Sequence, residues 1–115
     1  MHVSGTAESE LFEIAGINDS LTVSMYRLKD GNKGAQIYQR TFYPGETSMI
    51  YLEGLEGNDK FVLDEQTNTR IKLKMHGGKG GDTYDLNGKT KALVEDSIKD
   101  KDILLHQGSA KIRLH

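Results

Sequence analysis

Glycine and aspartate recur in a set order in one segment of this chain, and that order constrains the fold more than any other feature. In segment 77–86, GGKGGDTYDL, glycine occupies the first, second and fourth positions, Asp82 the sixth and Tyr84 the eighth. Glycine adopts positive φ angles without steric cost, so such a segment can turn sharply. Side chains that follow the turn alternate in direction if the chain is extended. The segment therefore predicts a tight turn that leads into a short strand with an aromatic core residue.

A second segment, 54–62, repeats this order with one change. Its first and fourth residues are again glycine, Asp59 is the sixth and Phe61 the eighth, and only the second glycine is replaced, by Leu55. A weaker echo at 5–13 keeps the first glycine, an acidic sixth residue and an aromatic eighth residue. Alone, that third segment does not establish a repeat.

The interval between the two glycine segments predicts how they are arranged. Asp59 and Asp82 are 23 positions apart, and strand-forming residues fill the interval around a polar turn at 66–69. Turns at such a spacing would stack as equivalent corners of successive coils of about 23 residues. We therefore expect Asp59 and Asp82 to lie at one edge of the fold.

Oxygen atoms gathered at such an edge would suit a hard cation. Calcium binds roughly 6–8 oxygen ligands at about 2.3–2.6 Å and accepts carbonyl and carboxylate oxygens together. The alternative is a metal-free turn of the same shape, because Asp commonly hydrogen-bonds its own backbone in turns. The predicted metal ligands are Asp59, Asp82, Gly57, Gly80 and Gly77.

The two segments resemble the calcium-binding repeats of RTX-type bacterial proteins, over about two nine-residue units. The resemblance implies a calcium-stabilised parallel β-roll in a secreted or cell-surface bacterial protein, with a structural or spacer role. It also implies that the partners are calcium and the neighbouring domains of a longer chain. The spacing departs from the family, whose repeats follow one another without a gap of this kind.

Alternating apolar residues predict strands along the whole chain. Two of these segments flank a polar turn at 29–34 and are expected to pair as a hairpin. Segment 48–53 has apolar residues on both faces, which predicts burial on both. Residues 1–5 are expected to be irregular, and a short helix within 91–101 is an alternative to a strand there. The predicted strands are 11–15, 21–28, 35–43, 48–53, 61–64, 70–76, 92–95, 103–106 and 110–114.

The fold predicted from these strands is all-β, and more specifically a β-solenoid or β-roll-like stack with an antiparallel hairpin inserted at 21–43. A β-sandwich is the alternative. The 115 residues are expected to form one domain, 1–115, of a longer surface or secreted protein. A formal net charge of −2 argues against nucleic acid as the main partner. The chain has no cysteine, hence no disulfide or thiolate metal site, and it has no apolar run long enough to span a membrane.

Sequence motifs of catalysis are missing, so we predict that the chain is not an enzyme. It contains no G-x-S-x-G segment and no cysteine nucleophile, and its four histidines lack metal-ligand spacing. A binding module for carbohydrate or protein is the alternative function, since exposed aromatic rings could form a platform for a sugar. Tyrosines at four positions could supply those rings: Tyr26, Tyr38, Tyr43 and Tyr51.

Overall fold

The computed structural model describes residues 1–67, 69–87, 92–96, 103–106 and 111–114. Within these ranges the chain forms eleven strands and no helix, which confirms the all-β prediction. The strands are β1 (His2–Ser4), β2 (Glu10–Ile17), β3 (Ser20–Lys29), β4 (Asn32–Phe42), β5 (Met49–Glu53), β6 (Lys60–Leu63), β7 (Lys72–His76), β8 (Thr83–Leu86), β9 (Ala92–Asp96), β10 (Ile103–His106) and β11 (Lys111–Leu114).

The strands form two sheets between which the chain passes back and forth. A five-stranded sheet has the order β1-β5-β7-β9-β11, and a six-stranded sheet has the order β10-β8-β6-β2-β3-β4. Every neighbouring pair in the five-stranded sheet is parallel. In the six-stranded sheet β10, β8, β6 and β2 are parallel, whereas β2-β3 and β3-β4 are antiparallel. From β5 onward, consecutive strands belong to alternate sheets.

Parallel neighbours are related by a constant offset in sequence through the middle of the molecule. Phe61 lies beside Tyr84, and Ile50 lies beside Leu73, so both sheets step by the predicted 23 residues. Phe12 lies beside Phe61, an offset of 49 residues, because β3 and β4 are inserted into that step.

The inserted strands form the predicted hairpin, which extends the six-stranded sheet beyond β2. Leu21 pairs with Phe42 near one end of β3 and β4, and the turn at the other end contains Asp30 and Gly31 with φ of 53° and 79°. Two positive φ angles in succession suit the twist of a two-residue hairpin turn. Register shifts mark β-bulges in this pair of strands, and most side chains of β4 are exposed.

The core lies between the two sheets and contains a column of aromatic rings. Phe12 and Phe61 stack with centroids 4.6 Å apart, and Phe61 and Tyr84 stack at 5.2 Å, with all three rings almost parallel. The prediction that an aromatic core residue follows each glycine segment is confirmed, since Phe61 and Tyr84 are both buried.

Three local predictions need correction or restriction. Residues 1–5 are not irregular, because β1 pairs in parallel with β5 and Val3 is buried. Burial of 48–53 on both faces is wrong: Met49 is 45% exposed, because only one face of the five-stranded sheet packs on the core. Residues 92–96 form β9 and not a helix, and 97–101 lie outside the described residues.

Candidate functional site

Three turns that start with glycine and have an acidic sixth residue connect the five-stranded sheet to the six-stranded sheet. We call them corner 1 (5–10), corner 2 (54–59) and corner 3 (77–82); they precede β2, β6 and β8. Because β2, β6 and β8 are in parallel register, the corners stack on one side of the fold. Corner 1 corresponds to the weak sequence echo, so the structure adds it to the two corners that the sequence predicted.

The acidic residues at the sixth position of the corners form a hydrogen-bonded series, here called the acidic ladder. The backbone N–H of Glu10 donates to Oδ1 of Asp59 at 2.9 Å, and the backbone N–H of Asp59 donates to Oδ1 of Asp82 at 2.9 Å. All three residues are at most 1% exposed. Each Asp carboxylate thus accepts an amide hydrogen from the preceding corner, which joins successive corners directly.

The residues at the fifth position of the corners form a second series of hydrogen bonds, here called the Ser9–Asn58 ladder. Its donors and acceptors run in the opposite direction along the stack of corners. The backbone N–H of Asn58 donates to Oγ of Ser9 at 3.0 Å, and the backbone N–H of Gly81 donates to Oδ1 of Asn58 at 2.9 Å. Here each side chain accepts from the following corner. Sequence reasoning missed these two residues, although their shared place before the acidic residue is a usable signal.

Backbone conformation explains two of the glycine positions in the pattern. At the second position φ is 71° for Leu55 and 81° for Gly78, and at the fourth position it is 91° for Gly57 and 107° for Gly80. These angles lie in the left-handed region, which L-residues other than glycine adopt at a cost of about 1–2 kcal/mol. Leu55 therefore takes the glycine conformation although it carries a side chain.

Close packing explains the first glycine position. A Cβ atom on Gly54 would lie 2.3 Å from Oδ2 of Asp59, and one on Gly5 would lie 2.4 Å from Oε1 of Glu10. In corners 1 and 2 the acidic side chain therefore folds back over the glycine that starts the corner. Gly77, the first residue of corner 3, donates its backbone N–H to the Tyr84 hydroxyl at 3.0 Å.

Corners 2 and 3 are in contact along their backbones. A Cβ atom on Gly80 would lie 2.3 Å from the carbonyl oxygen of Gly57, and one on Gly78 only 1.9 Å from that of Leu55. The Leu55 carbonyl also accepts the backbone N–H of Lys79 at 2.9 Å. The structure thus brings together the predicted site residues of the two corners, as the 23-residue spacing indicated.

Corner 1 differs from the other two by receiving a cation from the inserted hairpin. The Glu10 carboxylate accepts the backbone N–H of Thr6 at 2.8 Å and the Arg27 guanidinium at 3.2 Å. The same Arg27 nitrogen also pairs with Glu8. Sequence reasoning missed Arg27, because its place opposite Glu10 depends on the register of β2 and β3.

Several of the oxygen atoms that could bind calcium at the corners already accept hydrogen bonds. Oδ1 of Asp59, Oδ1 of Asp82 and the Leu55 carbonyl each accept a backbone N–H. The described ranges contain no group of three or more His, Cys, Asp or Glu residues that could hold a metal ion. In this arrangement the corners fit a hydrogen-bonded stack, and calcium binding at Asp59, Asp82, Gly57, Gly80 and Gly77 stays a prediction.

The candidate sugar-binding tyrosines face different surfaces. Tyr26 alternates with the buried Met25 and points away from the core on the six-stranded sheet, whereas Tyr51 lies between the buried Ile50 and Leu52 and points outward from the five-stranded sheet. Tyr38 packs against the core. Tyr26 and Tyr51 therefore cannot form one aromatic platform.

Comparisons with protein-family models, with curated proteins and with solved structures returned no match to this chain. The parts of the chain that the structure describes include no helix with the length and hydropathy needed to cross a membrane.

Proposed function

We propose that this chain is a non-catalytic structural module, in which coils of two strands stack as a β-roll. The observation that supports this best is the acidic ladder, in which equivalent residues of three corners are joined by backbone amides. The aromatic column repeats the same register inside the core. The buried carboxylates bind the backbone of their own chain and are not presented to a substrate, so they favour a structural role.

A stack of this kind suits a rigid spacer. Parallel strands are about 4.8 Å apart, so each coil adds a set increment of length along the stack. Together with the resemblance to RTX-type repeats, this supports a place in a secreted or cell-surface bacterial protein. The partners we propose are the neighbouring domains of a longer chain, which the module would hold at a set distance.

Cysteine cross-linking tests the proposed stack, since the chain has no cysteine of its own. Val62 and Asp85 are register partners on adjacent parallel strands. Their Cα atoms should be about 4.8 Å apart, within the range that a disulfide can join. We expect the double variant Val62→Cys/Asp85→Cys to form an intramolecular disulfide under mild oxidation, detected by mass spectrometry after proteolysis.

A matched control uses residues in the same row that are two strands apart. Glu13 and Asp85 both pair with Val62, so β6 separates them by about 9.5 Å, beyond the range of a disulfide. Glu13→Cys/Asp85→Cys should therefore stay reduced under the same conditions. An antiparallel sandwich would not place Val62 beside Asp85. If the Val62→Cys/Asp85→Cys variant forms no disulfide, the proposed stack is therefore excluded.

Calcium binding by corners 2 and 3 is a second proposal, favoured by the convergence of Asp59 and Asp82. An ion that binds only the folded chain stabilises it by about 2.7 kcal/mol at a hundred times its dissociation constant. We expect a higher melting temperature in calcium than in chelator, with magnesium at the same concentration as the control. Equal melting temperatures in all three solutions would exclude the ion and leave the hydrogen-bonded structural module in place.

A further inference from the structure

We propose that the hairpin β3–β4 is a cap that closes one end of the stack, and that Arg27 attaches this cap to corner 1. The proposal rests on the stacked arrangement proposed above. Repeat structures need terminal elements with a polar outer surface, because an uncovered end exposes the core and strand edges. Three independent features of the hairpin meet this need.

The first feature is the outer strand, β4, which forms one edge of the six-stranded sheet. Eight of its eleven residues are exposed, and its sequence contains Lys33 and Arg40 but no acidic residue. Met25 pairs with Tyr38 and Tyr26 with Gln36, so Ile37 is the extra residue of a bulge. Exposed cations and bulges both hinder the pairing of an edge strand with another chain.

The second feature is the inner surface of the hairpin, which closes the end of the core. Four of its side chains belong to the hydrophobic core and are at most 3% exposed: Leu21, Val23, Met25 and Phe42. They continue the core past β2, where the parallel part of the six-stranded sheet stops. Without the hairpin these contacts would be lost and β2 would become the edge strand.

The third feature is the ion pair between Arg27 and Glu10. Glu10 is fully buried, and it occupies the place in corner 1 that Asp59 and Asp82 occupy in the other corners. A buried carboxylate needs a cation or several hydrogen-bond donors to offset its desolvation. Arg27, on β3, supplies the cation from the hairpin itself, so the cap and the end of the acidic ladder are joined by one contact.

Corner 1 is also shaped differently from corners 2 and 3. Among the described residues, positive φ at non-glycine positions is confined to Asn18, Asp19, Asp30 and Leu55, so neither Thr6 nor Glu8 adopts it. Thr6 instead donates its backbone N–H to Glu10, and its hydroxyl accepts from Arg27 at 3.2 Å. Corner 1 is therefore adapted to the guanidinium and is distinct from a repeating corner.

Substitution of Arg27 tests the attachment. Arg27 is 38% exposed, but Arg27→Gln removes the cation and leaves the Glu10 carboxylate fully buried, and a buried charge that loses its partner is strongly destabilising. We expect the melting temperature to fall by on the order of 10 °C. The double variant Arg27→Gln/Glu10→Gln should recover part of that loss, since no charge then remains buried.

The matched control is the pair Lys33 and Glu13, which joins the same hairpin to β2 but is about half exposed, with 3.1 Å between nitrogen and oxygen. Lys33→Gln should lower the melting temperature by less than about 5 °C, as expected for an exposed ion pair. Equal small shifts for Arg27→Gln and Lys33→Gln would overturn the proposed attachment. The Val62–Asp85 cross-link in the Arg27→Gln variant would then show that the stack itself persists.

Removal of the hairpin tests the cap. Replacing residues 20–42 by a short Gly-Ser linker should leave β2 as an open edge, and we expect concentration-dependent self-association that the intact chain lacks, measured by sedimentation velocity. The proposal is overturned if the shortened chain folds and sediments as a single species over the same concentration range as the intact chain. If the shortened chain does not fold, the comparison of Arg27→Gln with Lys33→Gln decides.

Discussion

The backbone N–H of Asp59 donates a 2.9 Å hydrogen bond to the carboxylate of Asp82, a residue 23 positions further along the chain. Both residues are buried, at 1% and 0% exposure. A buried N–H that loses its hydrogen-bond acceptor costs about 1–3 kcal/mol, because the donor is left unpaired. One such bond per coil therefore makes the acidic residue a principal stabilising contact between neighbouring corners.

Substitution of Asp82 should reveal this contribution. We expect Asp82→Ala to lower the free energy of unfolding by about 1–3 kcal/mol, and Asp82→Asn to lower it less, because the amide oxygen can still accept the Asp59 N–H. Urea denaturation measures both. Asp64→Asn is the control: Asp64 is exposed, and its substitution should change the free energy of unfolding by about 0.5 kcal/mol or less. Similar values for Asp82→Ala and Asp64→Asn would contradict the role of the ladder.

The aromatic column should be a major contribution to the core. Phe61 contacts a ring on each side, Phe12 at 4.6 Å and Tyr84 at 5.2 Å, so Phe61→Ala should cost about 3–5 kcal/mol. Val62 is the next residue on the same strand and points the other way, so Val62→Ala should cost much less. Chemical denaturation of the two variants gives the comparison, and a loss below about 1 kcal/mol for Phe61→Ala would contradict the central position of its ring.

Alanine substitutions at three glycines distinguish the cost of a positive φ from the cost of a steric contact. Gly78 has φ of 81° and its Cβ would lie 1.9 Å from the Leu55 carbonyl oxygen; Gly31 has φ of 79° with open space around it; Gly45 has open space and no positive φ. We expect Gly45→Ala to be close to neutral and Gly31→Ala to cost about 1–2 kcal/mol. Gly78→Ala should cost clearly more than Gly31→Ala in thermal unfolding. The opposite order would mean that corners 2 and 3 can separate without loss.

Local patterns allowed much of this structure to be predicted. Glycine positions and period-two alternation are signals within a few residues, and they located corners 2 and 3, the hairpin and most strands. Glu10 was not predicted as part of the site, because it replaces Asp and because Thr6 and Glu8 stand where corner 3 has glycine. The sequence echo at 5–13 becomes convincing only when Phe12 is seen stacked on Phe61.

Long-range contacts account for the features that were missed. β1 is three residues long and pairs with β5, and its end is held by a hydrogen bond between the Met1 amino group and the Met49 carbonyl. So short a segment has no periodicity to detect. Arg27 likewise belongs to no sequence motif, because the register of β2 and β3 and the burial of Glu10 determine its partner.

Asp19 should titrate below its ordinary range in the folded chain. The backbone N–H of Arg70 donates to Oδ1 of Asp19 at 2.8 Å, and the Arg70 side chain donates from Nε to Oδ2 of Asp19 at 2.7 Å. These bonds lower the pKa of Asp19 from its usual 3.8. A lowered folded-state pKa adds stability above the unfolded pKa, and that stability is lost as pH falls through the folded pKa. Carboxyl NMR should show a titration midpoint below 3.8.

The Arg70→Gln variant tests which bond matters most to that pKa. The backbone bond is retained in the variant, so the pKa of Asp19 should rise only part of the way toward its usual value. A midpoint for Asp19 at or above 3.8 in the unaltered chain would contradict the two hydrogen bonds from Arg70.

The opposite directions of the two ladders bear on how a chain like this can change in length. A tandem copy of residues 54–76, inserted before Gly77, would place a new Asn between Asn58 and Gly81 and a new Asp between Asp59 and Asp82. The side chain of each copied Asn or Asp would accept a backbone N–H from one neighbouring corner. The backbone N–H of the same residue would donate to the corner on the other side, so no donor would be left over. Gene duplication in units of 23 codons can therefore lengthen this molecule while both ladders stay intact, and an insertion outside the corners, such as the hairpin in the 49-residue step from corner 1 to corner 2, leaves them intact as well.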